Sequence, residues 1–60
     1  MKRKEIMKKL ADAGLLFVEG GNHTKVYDRA GNYLAPVGRH TEIKEWDMLK
    51  IEKQTGVKLR

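Results

Sequence analysis

The sequence predicts an α+β domain of order α-β-β-β-α, in which a three-stranded antiparallel sheet carries both helices on one face. Three observations carry that expectation: apolar residues at helical spacing near each end, short β-rich runs between them, and glycine-bearing turns that separate the runs. Residues 1–60 are read as one domain, because so short a chain has interior for a single core only. Cysteine is absent, so neither a disulfide nor a thiolate-held metal reinforces that core. A partner or a second copy that stabilises the folded state is therefore expected.

The first helix is expected over residues 3–13, where Ile6, Leu10 and Ala13 recur at i, i+4 and i+7 with Met7 and Ala11 beside them. Gly14 stands where a C-terminal cap belongs. Lys2, Lys4, Lys8 and Lys9 flank the apolar arc, and Glu5 is placed to pair with Lys9 one turn on. Residues 15–19 read as a strand buried on at least one face. Gly20 and Gly21 then supply the positive φ angles of a tight hairpin, helped by Asn22, which tolerates the left-handed region.

A second strand follows over residues 23–28. The turn Arg29-Ala30-Gly31-Asn32 leads to a third over residues 33–37. With Asp28 opposite Tyr33, alternation turns Val26, Tyr33, Ala35 and Val37 to the core and His23, Lys25, Tyr27 and Leu34 away from it. Pro36 cannot donate to a sheet ladder, which puts the third strand at an edge. The second helix starts between Thr41, a possible N-cap, and Glu45, and it ends at Thr55 before Gly56. Met48, Ile51 and Thr55, with Trp46 and Leu49 to one side, form its sheet-covering surface, and Val57 and Leu59 fold back onto the core.

Thirteen Lys and Arg against eight Asp and Glu give a net charge of +5 and a pI near 9.8, the footprint of a nucleic-acid binder or of a protein with an acidic partner. Residues 1–13 hold five of the bases and two of the acids, which makes this the basic segment. No apolar run approaches the roughly 20 residues of a membrane span, and no signal-peptide core follows the basic start. A cytoplasmic protein with no membrane role is expected.

Chemistry concentrates at Gly20-Gly21-Asn22-His23-Thr24-Lys25. Strand alternation puts His23, Lys25 and Tyr27 on one side: a group that titrates near neutrality, a fixed cation that can hold a phosphate, and an aromatic ring. That combination suits phosphodiester chemistry, although the same residues alone also read as a solvated strand start. His23 and His40 lack the Cys or clustered carboxylates that complete a metal site, so neither a metal nor another cofactor is expected. The two glycines lead into a strand rather than a helix N-terminus, which excludes a nucleotide-binding loop.

The expected element order, size and charge are those of double-stranded-RNA-binding domains. The whole chain also resembles the HicA family of mRNA interferase toxins from type II toxin-antitoxin systems. The resemblance lies in Lys4-Glu5-Ile6-Met7-Lys8-Lys9-Leu10 with Gly14 after it, in Gly21-Asn22-His23-Thr24-Lys25, and in Pro36 followed by Arg39-His40. It continues through Glu42-Ile43-Lys44-Glu45 to Lys53-Gln54-Thr55-Gly56-Val57. The family's hairpin pattern of glycine, small or polar residue and catalytic histidine maps onto Gly21, Asn22 and His23. Many members carry a second histidine or a serine near that motif and Gly-Thr before the last helix, where this chain has Trp46-Asp47.

The resemblance implies a metal-independent endoribonuclease that cleaves mRNA, arrests translation and growth, and is neutralised by a HicB-type antitoxin covering the active face. On that reading His23 is the general base toward a ribose 2′-hydroxyl and Lys25 steadies the charged phosphorane. Arg39 or His40 assists from the loop as acid or phosphate clamp, and Tyr27 stacks an unpaired base. Two alternatives stand beside it: a non-catalytic RNA-binding module of double-stranded-RNA-binding type, and a catalytically inactive relative that works through its partner.

Overall fold

The computed structural model describes all 60 residues. Helix α1 spans Arg3–Asp12, strands β1, β2 and β3 span Leu16–Glu19, His23–Tyr27 and Tyr33–Gly38, and helix α2 spans Glu45–Thr55. The sheet is antiparallel in the order β1-β2-β3, so β3 is an edge strand and accommodates the exposed Pro36. Both helices cover one sheet face. Ile6 and Leu10 from α1, Met48 and Ile51 from α2, Ile43 from the loop between β3 and α2, and Leu59 from the tail enclose Val26 and Val37 of the sheet. The other face is open. Its apolar residues Leu16, Val18 and Tyr33 are each about half exposed.

Helix ends follow the glycines. At α1 the Gly14 N–H bonds the Ala11 carbonyl and the Leu15 N–H bonds the Leu10 carbonyl, with Gly14 at φ 87°, a paired closure that needs a left-handed residue. At α2, Gly56 (φ 74°) donates its N–H to the Glu52 carbonyl. Thr41 is not the N-cap of α2. That position falls to Lys44, and the Thr41 carbonyl instead accepts the Arg3 N–H.

The hairpin between β1 and β2 uses no positive φ: Gly20, Gly21 and Asn22 all lie outside the left-handed region. Glycine is needed at position 20 for proximity, because a Cβ there would stand 2.9 Å from the His23 carbonyl oxygen, which the Gly20 N–H itself bonds. The β2–β3 turn does use its glycine, Gly31 at φ 89°. Asp28 closes this turn by accepting the N–H groups of Asn32 and Ala30, and those bonds hold its carboxyl below the ordinary range.

Tyr33 is corrected from core to surface. Tyr27, not Asp28, lies opposite it, and a bulge steps β3 by two residues where β2 steps by one. The extra residue is Leu34, half-buried, and the slip carries Tyr33 onto the open face. There its ring meets Tyr27 edge-on, with centroids 5.6 Å apart. Ala11 and Ala13 are exposed, so α1 contributes a narrower stripe than the pattern suggests. Trp46 is exposed as well, at 75%, and β1 buries only part of Phe17. The expected Glu5–Lys9 pair is replaced by Lys8–Asp12 at 3.2 Å, because the Lys9 ammonium bonds the Leu59 carbonyl at 2.9 Å.

The C-terminal tail is held from both sides. Leu59 is fully buried, and its N–H donates to the Glu52 carboxylate at 2.8 Å. This bond, with help from Arg60, lowers the Glu52 pKa. A carboxyl with a folded-state pKa below its unfolded value stabilises the fold above the unfolded pKa, and that contribution is lost as pH falls through the folded one. Thermal midpoints measured across the acid range should therefore fall less steeply for Glu52→Gln than for the parent chain; parallel curves would contradict the assignment.

Thr24 is the sole buried polar residue. Its hydroxyl donates to the Glu19 carboxylate at 2.9 Å and accepts from the Arg3 guanidinium at 2.6 Å. Thr24→Val keeps the shape but leaves a partly buried cation and a carboxylate without that partner, which costs about 1–3 kcal/mol. For a domain of this size the thermal midpoint should drop by roughly 5–20 °C. A midpoint unchanged in Thr24→Val would show that the hydroxyl carries no structural weight.

Candidate active site

The imidazole of His23 starts β2, directly across from Gly38 at the end of β3. Gly38 has no side chain to stand between His23 and the following loop, and a Cβ built there would lie 3.8 Å from Cδ2 of the His40 ring. The two histidines thus flank one glycine. Both are exposed, and both line a cleft of about 830 Å³ at the free edge of β3. The rest of its lining comes from the loop and from α2 between Asp47 and Gln54, where Lys44 and Lys50 supply cations and Glu42 and Asp47 supply acids.

Glu42 is already paired, with the Lys2 ammonium at 3.1 Å. Asp47 sits in the first turn of α2, where the helix dipole favours a carboxylate. No group of three or more His, Cys, Asp or Glu side chains is arranged to hold a metal ion.

The loop that carries His40 is fixed by the chain start. Met1 and Ile43 exchange backbone hydrogen bonds at 2.8 and 3.0 Å, and Lys2 bridges to Glu42 in antiparallel fashion. Arg3 straddles the histidine: its Nε bonds the Gly38 carbonyl at 2.9 Å and its backbone N–H bonds the Thr41 carbonyl at 2.9 Å. The same guanidinium reaches Thr24, the neighbour of His23. One residue therefore positions the backbone beside both imidazoles.

No protein-family model matches this chain, and searches of curated proteins and of solved structures return no match.

The remaining expected site residues separate into three groups. Lys25 and Tyr27 lie on the open face with His23, but neither lines the cleft; Lys25 stands opposite Pro36 and Val18, and Tyr27 is half-buried against Tyr33. Gly21 and Asn22 form the exposed tip of the hairpin. Arg39 is committed to structure: its Nη2 bonds the Glu19 carboxylate at 2.6 Å and the Gly20 carbonyl at 2.8 Å, which ties the loop to the hairpin turn. Lys44, Lys50 and the positioning residues Arg3, Thr24 and Glu19 had not been singled out for the site. The partners of Arg3, Thr24 and Glu19 lie 5 to 35 residues away in sequence, so no local pattern marks these three.

Close packing at the turn gives a direct test. Gly20→Ala forces a methyl against the His23 carbonyl and should cost about 1–3 kcal/mol. Gly21→Ala meets nothing within 4 Å and needs no left-handed angle, so it should be neutral or stabilising by up to about 1 kcal/mol. Chemical denaturation of the two variants reads the difference, and equal stabilities would refute the close approach.

Proposed function

We propose that the protein is an endoribonuclease of the mRNA interferase type, resembling HicA toxins, that cleaves mRNA by transphosphorylation and is held in check by a HicB-type antitoxin. The observation that carries this reading is the pair of exposed imidazoles sharing one cleft with Lys44 and Lys50. Two imidazoles facing one cleft supply the proton acceptor and the proton donor that a paired base and acid require.

In the proposed reaction His23 takes the proton from a ribose 2′-hydroxyl, whose oxygen attacks the adjacent phosphorus. The bond from phosphorus to the 5′-oxygen breaks, and His40 gives its proton to that leaving oxygen. The products are a 2′,3′-cyclic phosphate and a 5′-hydroxyl. Lys44 and Lys50 stabilise the extra negative charge of the phosphorane, the task first expected of Lys25. The nucleophile belongs to the RNA itself, so the protein supplies proton transfer and charge, and no metal is required by this route. Of the two loop residues expected to assist, His40 fits the acid role, since Arg39 is engaged by Glu19 and the turn.

Cleavage of a defined RNA in EDTA tests the proposal. His23→Ala should lose about 100-fold or more in rate, and His40→Ala a comparable amount, with cyclic-phosphate ends on the parent enzyme's fragments. Cutting that survives His23→Ala, or that EDTA abolishes in the parent protein, would overturn the mechanism. Binding of RNA without any cutting would instead favour a non-catalytic module.

A further inference from the structure

The indole of Trp46 projects from the first turn of α2 with three quarters of its surface exposed, although it is the only tryptophan of the chain. The aromatic pair within the fold is Tyr27 with Tyr33, so Trp46 has no ring partner. Helical spacing aligns it with Lys50 and Lys53 at i, i+4 and i+7, and all three are exposed. Lys50 is also part of the cleft wall, together with Lys44. An aromatic face at the head of a row of cations, one of which lines the cleft, is the arrangement that stacks a base while its backbone is held electrostatically. Glu45 and Asp47 lie about 100° to either side of Trp46 around the helix.

We propose that Trp46 is a stacking platform for an unpaired nucleobase of the RNA, adjacent to the nucleotide whose phosphate Lys50 holds in the cleft. The inference rests on the ribonuclease reading and deepens it: it makes the substrate a single strand with splayed bases and gives the site a contact beyond the scissile phosphate. A second copy of this chain is a poorer occupant, because the stripe would bring Lys50 and Lys53 against like charges.

The single indole reports on its own occupancy. Emission is followed while a short unstructured oligoribonucleotide is titrated into the His23→Ala protein, which keeps Trp46 and leaves the RNA uncut. Saturable quenching is expected, and a matching abasic ribose-phosphate strand should bind without it. In the protein with His23 intact, Trp46→Ala should raise the KM for cleavage at least about fivefold, and Trp46→Phe should recover most of that loss.

Absence of quenching, or an unchanged KM in Trp46→Ala, overturns the stacking role while His23-dependent cleavage stands. A shift in emission that follows protein concentration without RNA overturns it too, and assigns the ring to a self-contact. If neither cleavage nor quenching occurs, both readings fall.

Discussion

The fold and the cleft both depend on one polar contact: the guanidinium of Arg3 against the hydroxyl of Thr24. A sheet with one covered face normally buries apolar side chains there, and a lone threonine among them would be a fault without partners. Here the hydroxyl is doubly satisfied, and no buried side-chain nitrogen or oxygen is left unpaired. The chain of contacts runs from Arg3 through Thr24 to Glu19, and from Glu19 to Arg39. It joins four segments: the start of α1, the first two strands and the loop after β3. Its ionic links are partly exposed, so their contribution lies more in geometry than in energy.

On the proposed ribonuclease reading, that geometry has a functional consequence. Catalysis by a paired acid and base requires two side chains held at a fixed separation, and exposed loops hold separations poorly. The His40 loop is an exception, because Arg3 grips the carbonyls on either side of it and the first two residues add a bridge. His23 is steadied through the adjacent Thr24 and through the tight approach of Gly20. Arg39, with a charge suited to phosphate, is spent on this framework, and the cations facing the cleft come instead from Lys44, the N-cap of α2, and Lys50 within it.

Much of the architecture was legible in the chain. The spacing of Ile6 and Leu10, the glycines at 14, 31 and 56, and the alternation through Val26 and Val37 act over a few residues, and the structure follows them. Tyr33 escaped because a bulge, which no local propensity dictates, shifts the register between β2 and β3. Helical spacing sets Trp46 beside the stripe of Met48, Ile51 and Thr55, yet Met48, Leu49 and Ile51 already fill the sheet-facing side of α2 and the indole stays outside. For the site, His23 was visible through its turn and strand, whereas the cleft it shares with His40 depends on strand pairing that places Gly38 opposite His23. The Arg3–Thr24 contact spans 21 residues and leaves no trace in periodicity.

The central claim is that one imidazole removes a proton and the other returns one within a single cleft, and the pH dependence of RNA cleavage tests it most directly. The account predicts a bell-shaped profile of kcat/KM in EDTA. Its acid limb should disappear in His23→Ala and its alkaline limb in His40→Ala, each from the residual activity of the variant. A single sigmoid in the parent protein, or a bell that both variants retain, would contradict it.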